Sequence, residues 1–410
     1  MIIKIKIILQ IILITNLLLS SVNASALTVS ILIAPKQRSV FSETFKQFTQ
    51  KTGIEITTIA RTDTDYKNDL PTWLLDGIDT PDVLYWQASQ RLFDYVKKDA
   101  IQPITHLWNE GDLDENFLHL KDSVTYEGAV YALPISYYYW GIFYKRSLLE
   151  KYGEIPKTWQ EFIDICESMK RDGITPIGIG LKNNWPAAAW FDYLNLRING
   201  YQFHQKTLQG KVSFYDKRLQ NVMIEWKKLI DNSFFNKNNK RLKWNELLPS
   251  LYRDKIGFML IGSFSSKYFP VRMSEELAVM AFPKMAMLSV SEEAPLEVFM
   301  IAKNTKNLSE AEIFIKFMAD AKVQADHNQR IGYIPANNKA KIGTDHFTQA
   351  GVKILNQANS ITQYFDRDSL PEFEKKVIPL LAEFINTGDI KSTTQDLEQA
   401  RKEAFINTLQ

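Results

Sequence analysis

Along the chain, short continuous apolar runs alternate with stretches in which apolar positions recur every three or four residues. Residues 27–34 form the first such run and read as a strand covered on both faces. Phe41, Thr44, Phe45 and Phe48 then follow at helical spacing, and Gly53 stands where a helix C-terminus takes a left-handed residue. Residues 54–59 alternate as a second strand, so this strand–helix–strand order predicts a parallel pair with a right-handed crossover. Residues 82–86 read as a third buried strand and residues 91–98 as a helix.

Two later helices are marked by their beginnings. Thr158-Trp159-Gln160-Glu161 follows Pro156 as a capping box, in which the Thr side chain and the Glu carboxylate satisfy orphan amides reciprocally. Trp159, Phe162, Ile163, Cys166 and Met169 form one apolar stripe behind it. Cys166 lies on that stripe and reads as a small buried hydrophobe. Ser309-Glu310-Ala311-Glu312 predicts a second box, opening a helix with Phe314, Phe317, Met318 and Ala321 on one face and Gly332 at its end. No internal repeat or low-complexity linker interrupts this pattern.

The first 26 residues differ from everything after them. Lys4 and Lys6 are their only charges, the apolar run at 7–19 is too short to span a bilayer, and Ala24-Ser25-Ala26 offers a small-x-small cleavage site. A signal peptide cleaved after Ala26 is expected, without a lipid anchor because no Cys stands at the cleavage site. A soluble exported protein is held near its membrane partner by an outer membrane, so the expected location is the periplasm. The single Cys of the 410 residues cannot form an intrachain disulfide, so stability must come from packing, and the length calls for two domains.

Charge and composition narrow the functions. Removing Lys4 and Lys6 from 49 basic residues leaves them equal to the 47 acidic ones, and no basic stripe of the kind nucleic acid requires is present. The densest basic cluster, 237–243, is broken by Asn238 and Asn239 and reads as a solvated loop. Aromatic content is high, at 12% with nine Trp and seventeen Tyr, and suits a ring-lined binding surface as well as a large core.

Catalytic constellations are missing from the sequence. It holds no nucleophile elbow, phosphate loop, dinucleotide glycine fingerprint or His-Glu-x-x-His, and its five His residues show no ligand spacing. Glu292-Glu293 is an acidic pair of the general type glycoside hydrolysis uses, with nothing further to support it. The Tyr137-Tyr138-Tyr139 run offers hard phenolate oxygens of the sort that hold ferric iron, but it continues into Trp140 without the usual accompanying carboxylate or His. No catalytic residue, metal site or cofactor is expected.

Several segments, taken in order, resemble the family 1 extracellular solute-binding proteins of ABC importers, the group of maltose-binding protein. Tyr126-Glu127-Gly128-Ala129-Val130-Tyr131-Ala132-Leu133-Pro134 is similar to the family's Gly-x-Tyr-x-x-Pro strand. Phe143-Tyr144-Lys145, Leu148-Leu149-Glu150-Lys151-Tyr152-Gly153 and Pro156-Lys157-Thr158-Trp159 resemble its most specific signature, with Lys145 where Asn is usual. Pro81-Asp82-Val83, the 257–264 segment, Ala302-Lys303-Asn304 and Gly332-Tyr333-Ile334-Pro335-Ala336 add to the match, which runs over nearly the whole chain after residue 26.

The resemblance implies an α/β, two-lobed periplasmic binding protein fold of type II, with a ligand cleft between lobes joined by three chain crossings. These fall near 134–138, 281–285 and 332–337. Lobe 1 would comprise 27–135 plus 284–334, and lobe 2 would comprise 136–283 plus 335–410. It further implies a non-catalytic, monomeric component of an ABC importer that captures a sugar or oligosaccharide by hinge closure and delivers it to the permease subunits. Trp86 falls where maltose-binding protein stacks a Trp on sugar, Trp185 where it stacks a Tyr, and Phe264 where a Trp is usual. Tyr138 falls near a hydroxyl-binding Glu. The Trp expected on the first strand is absent, with Ser30 or Ile31 in its place. Tyr137 and Trp140 join the candidate ligand residues, although Trp140 and Trp190 read equally well as core. Arg61, Asp63, Gln90 and Glu297 stand at loop positions suited to polar contacts. The alternatives are a periplasmic sensor for a receptor kinase, or a carrier of Fe(III) or a polyamine.

Overall fold

The computed structural model describes residues 26–32, 37–109 and 111–406. The export segment expected at 1–26 lies outside these residues apart from Ala26. Two separate sheets organise the chain. The first has six strands in the order Ile334–Pro335, Ala132–Tyr137, Leu296–Ile301, Val83–Gln87, Leu27–Leu32 and Ile56–Arg61. Leu27–Leu32 runs parallel to both its neighbours, which is the arrangement the opening strand–helix–strand pattern predicts. Leu296–Ile301 is antiparallel to the strands on either side. The second sheet has four strands in the order Leu277–Met280, Trp140–Lys145, Ile256–Gly262 and Thr175–Ile177.

Every residue of Val83–Gln87, Leu296–Ile301 and Ile256–Gly262 is buried. Strands with no exposed face need helices on both sides, and their continuous apolar runs follow from that. The helix Arg38–Thr52 covers the first sheet with Phe41, Thr44, Phe45 and Phe48, and Gly53 ends it in the left-handed conformation. The helix Pro186–Asn199 is buried along most of its length and packs against Lys217–Asp231 and Pro371–Thr387. The capping box at Thr158 is formed, and the helix Trp159–Arg171 buries Ile165 on its stripe, where Ile163 had been expected. Cys166 is buried there.

The second predicted box is not formed. The helix Leu308–Ala319 starts two residues earlier, after Asn307, with no side-chain cap. Asp320 then interrupts the predicted single helix, because its carboxylate accepts from the amides of Lys322 and Val323 and so begins a new helix, Ala321–Ile331. Gly332 ends that second helix.

The chain passes from the first sheet to the second between Tyr137 and Trp140. It returns between Met280 and Leu296, by way of Ser291–Glu293, which pairs in parallel with Ser360–Thr362. It leaves the first sheet again after Pro335. Among the described residues, no helix is long and apolar enough to cross a membrane.

Candidate functional site

Residues from both sheets and from the 364–367 segment line one cleft of about 410 Å³. Its first wall is polar and is set by strand alternation. On Val83–Gln87, Tyr85 and Gln87 line the cleft while the intervening Trp86 does not, as side chains two apart on a strand share a face. Glu297 on the antiparallel neighbour is the direct partner of Gln87. Both side chains are buried at 5% exposure.

The short helix Phe365–Asp368 brings charge to this wall. Asp192 Oδ2 accepts from the Phe365 amide at 2.8 Å and anchors its start. Arg367 Nη2 then donates to Glu297 Oε1 at 2.8 Å and to the Tyr138 hydroxyl at 2.9 Å, and Nη1 donates to the Leu296 carbonyl at 3.2 Å. Asp366 lies 3.0 Å from Arg91 and 3.7 Å from Lys67, and Lys67 reaches Asp63 at 3.0 Å. Burial pushes the Asp366 carboxyl up, but Arg91, Lys67 and Arg367 outweigh it and hold it below the usual range. Burial opposes the Arg367 charge as well, and Glu297, Tyr138 and Asp366 more than restore it. Burial also raises Glu297, against the pull of Arg367. Each charge on this wall therefore has an opposite partner, as buried ions require.

The second wall is aromatic. Trp140, at the start of Trp140–Lys145, stacks on Tyr364 with centroids 4.7 Å apart and planes at 13°. Trp185 meets Trp140 edge-on at 5.9 Å, and Phe264 lies 6.1 Å from each of them. Trp244 extends the series, 5.4 Å from Phe264 and 5.0 Å from Tyr268. Trp185, Trp244, Phe264 and Tyr268 are half-buried, so ring surface remains for a ligand, whereas Trp140 is only 2% exposed. Two glycines permit this crowding. A Cβ on Gly262 would stand 2.4 Å from the Phe264 ring, and one on Gly180 would stand 2.5 Å from the Lys243 backbone that leads into Trp244.

The cleft brings together six of the predicted residues: Asp63, Tyr138, Trp140, Trp185, Phe264 and Glu297. Trp86 is placed elsewhere. It is 3% exposed, stacks on Tyr66 at 5.7 Å and donates its indole N–H to the Arg91 carbonyl at 3.1 Å. The strand was read in the right place, but its side-chain alternation turns Trp86 into the core. Arg61 pairs with Asp69 at 2.7 Å, and Gln90 begins the helix Gln90–Lys97; neither lines the cleft. Tyr137 is half-buried outside the lining.

The tyrosine run does not converge. Tyr138 lines the cleft, while Tyr139 donates to the Phe347 carbonyl in the core. Glu292 and Glu293 are buried away from the cleft, Glu292 against Arg197. Among the described residues, no group of three His, Cys, Asp or Glu side chains is arranged to hold a metal ion.

Sequence reading missed Gln87, Lys67, Trp244, Tyr268, Tyr333, Tyr364, Asp366 and Arg367, all of which line the cleft. The only sequence cue to Gln87 is a polar side chain ending a strand that is otherwise buried and apolar. Trp244 directly follows the basic cluster that read as a solvated loop, and that cluster's last residue, Lys243, also reaches the cleft.

Two lobes, each built on its own sheet, around a cleft lined from both define a two-lobed solute-binding fold of type II. Residues 34–325 match the model of the bacterial extracellular solute-binding protein family, and the chain belongs to that family. An uncharacterised ABC transporter extracellular-binding protein of Pyrococcus horikoshii is 23% identical over 340 residues, covering 80% of this chain and 76% of that protein. The multiple sugar-binding protein of Streptococcus mutans is also 23% identical, over 62% of this chain and 61% of its own length. Among solved structures, the bacterial solute receptor AcbH, described as preferring β-D-galactopyranose exclusively, superimposes with a TM-score of 0.85 at 23% identity, covering 93% of this chain and 98% of its own. A chitin oligosaccharide binding protein gives 0.84 at 16% identity, over 93% and 100%. These structures share the fold.

Proposed function

We propose that this protein is the non-catalytic binding component of an ABC importer, capturing a neutral sugar or short oligosaccharide in its cleft and presenting it to the permease. The carrying observation is the pairing of a half-exposed aromatic wall with a wall of buried, charge-compensated polar groups. A pyranose offers C–H faces that pack on rings and hydroxyls that need planar hydrogen-bonding partners, so the two walls match its two kinds of surface. The sugar-binding relatives and the shared fold support the same reading. On this view the protein is a monomer of the periplasm, exported by cleavage after Ala26 and carrying no lipid. Its lobes follow the expected division, 27–135 plus 284–334 and 136–283 plus 335–410, moved so that the first-sheet strand residues Ser136, Tyr137 and Pro335 fall in the first lobe. Ligand binding closes them about the three crossings.

A thermal-shift panel of D-glucose, D-galactose, maltose, raffinose and chitobiose tests the reading, followed by calorimetric titration and small-angle scattering of any sugar that shifts the melt. A ligand at 100 times its Kd stabilises by roughly 2.7 kcal/mol, well within reach of a melt. The expected result is binding by at least one sugar, a smaller radius of gyration in the complex, and the sugar recovered unchanged. Tight binding of Fe(III) or a polyamine with no response to any sugar overturns it.

A further inference from the structure

The polar wall contains two buried acceptors to which the fold makes no well-aligned hydrogen bond. Glu297 gives Oε1 to Arg367, while Oε2 is buried and accepts no well-aligned hydrogen bond, although the Tyr85 hydroxyl lies beside this carboxyl. The Gln87 side-chain oxygen is likewise buried and unpartnered. Both side chains are more than nine-tenths buried and both line the cleft. They are direct partners on antiparallel strands, so they stand side by side on one face of the sheet, with Cα atoms about 4.5–5.5 Å apart.

We propose that Gln87 and Glu297 form a single recognition unit that reads two hydroxyl groups on neighbouring carbons of the bound sugar, one hydroxyl to each side chain. Two adjacent acceptors without well-aligned hydrogen bonds call for two adjacent donors, and a vicinal diol supplies them at a spacing a cross-strand pair can meet. The donors are neutral hydroxyls rather than an ammonium, because Arg367 already balances Glu297, and Lys67 and Arg91 balance Asp366. Gln87 also carries an amide N–H group, so it can return a donor to the hydroxyl it binds. Tyr85, two residues before Gln87 on the same face, closes the side of this subsite nearest Glu297. The unit thereby fixes which edge of the sugar faces the first sheet, leaving the aromatic wall to take the ring face. This inference rests on the sugar reading and narrows it to ligands that present an unsubstituted vicinal diol at that end.

The test uses whichever of D-glucose, D-galactose, maltose, raffinose and chitobiose binds the full-length mature protein. Gln87→Met keeps the side-chain length and leaves the Glu297–Arg367 pair intact. Its affinity for that sugar is expected to fall about 10- to 100-fold, as for the loss of a buried hydrogen bond in a desolvated site. Melts without ligand check its folding, and Gln87→Leu gives the same reading should the methionine variant fail to fold. A crystal structure of the wild-type complex is expected to show Gln87 and Glu297 each within hydrogen-bonding distance of one of two hydroxyls on adjacent carbons. Affinity retained within twofold in a folded variant overturns the inference and leaves the sugar reading standing. A complex in which the two side chains contact non-adjacent hydroxyls, or none, does the same. Failure of every sugar to bind the wild type overturns both.

Discussion

The two walls of the cleft are built by different means. Gln87 and Glu297 come from the adjoining ends of two fully buried strands, where cross-strand register sets each side chain against its neighbour. The rings of Trp185, Trp244 and Phe264 come from helix starts and turns after strands, and they are held mainly by edge-on contact with one another. A register-fixed wall can demand a particular hydrogen-bonding pattern, because moving one donor or acceptor means moving a strand. A wall of partly exposed rings accepts any ligand with an apolar face. On the proposed sugar reading, the first sheet would set selectivity and the second lobe would supply general affinity.

The sharpest way to break this comparison is to undercut the polar wall from behind. Trp86 lies under it, stacked on Tyr66 and edge-on to Tyr95 at 6.3 Å. Trp86→Ala is expected to cost about 3–5 kcal/mol of stability, the usual range for truncating a buried aromatic. Denaturant melts measure this directly. A loss below about 1 kcal/mol together with a large fall in sugar affinity would return Trp86 to the cleft.

The aromatic wall should respond in the opposite sense. Trp185→Ala removes a half-exposed ring, leaving the backbone carbonyl that accepts from the Tyr364 hydroxyl. Sugar affinity is expected to fall about 10- to 100-fold, the range of an aromatic hot spot, while stability falls by no more than about 1 kcal/mol. Calorimetric titration and melts on the same variant separate the two quantities. Unchanged affinity would move the ring-stacking surface to Trp244 and Phe264.

How far each wall was legible in the sequence follows from the same difference. Trp185 and Phe264 were readable through the resemblance, which implies a ring at each position, whereas Trp140 read equally well as core and is 2% exposed although it lines the cleft. The polar wall depends on which face of a strand points inward, and the run Val83-Leu84-Tyr85-Trp86, buried on both faces, does not decide that; the only cue is that Gln87 is a polar residue ending a buried strand, two positions from Tyr85. Trp86 was therefore chosen over its neighbour Gln87. Arg367 and Asp366 were out of reach for another reason. Their partners Glu297, Tyr138, Arg91 and Lys67 are far away in sequence and nearby only in the fold. The strands and the helices at Phe41 and Thr158 were legible because their signals are local. The helix break at Asp320 was missed because a capping Asp inside a continuous helical pattern looks like any surface acid.

A second comparison, between two buried glutamates, yields the smallest expected effect. Glu297 is balanced by Arg367, whereas Glu293 lies against Asp192, another acid. Burial, then Asp192 and Glu292, raise Glu293 well above the ordinary carboxylate range against a weaker pull from Arg197, and burial likewise raises Asp192. His204, whose Nε2 is 3.8 Å from Asp192 Oδ1, adds no charge, because burial lowers its pKa to about 3. The folded protein thus retains protons on this acid pair at a pH where the unfolded chain, with carboxyls near pKa 4, has released them. Unfolding then releases protons, and linkage makes stability fall as pH rises from about 4 toward the raised folded values. Glu293→Gln cannot titrate and escapes that loss. Thermal melts of the variant and the wild type at pH 5 and pH 8 should show the variant gaining relative stability at the higher pH, on the order of 1 kcal/mol. The matching Glu297→Gln change should behave differently, since it leaves Arg367 charged, buried and short of its partner, and so lowers stability at both pH values. A constant offset for Glu293→Gln across that range would mean that Glu293 is ionised in the folded protein and that its environment resembles that of Glu297 after all.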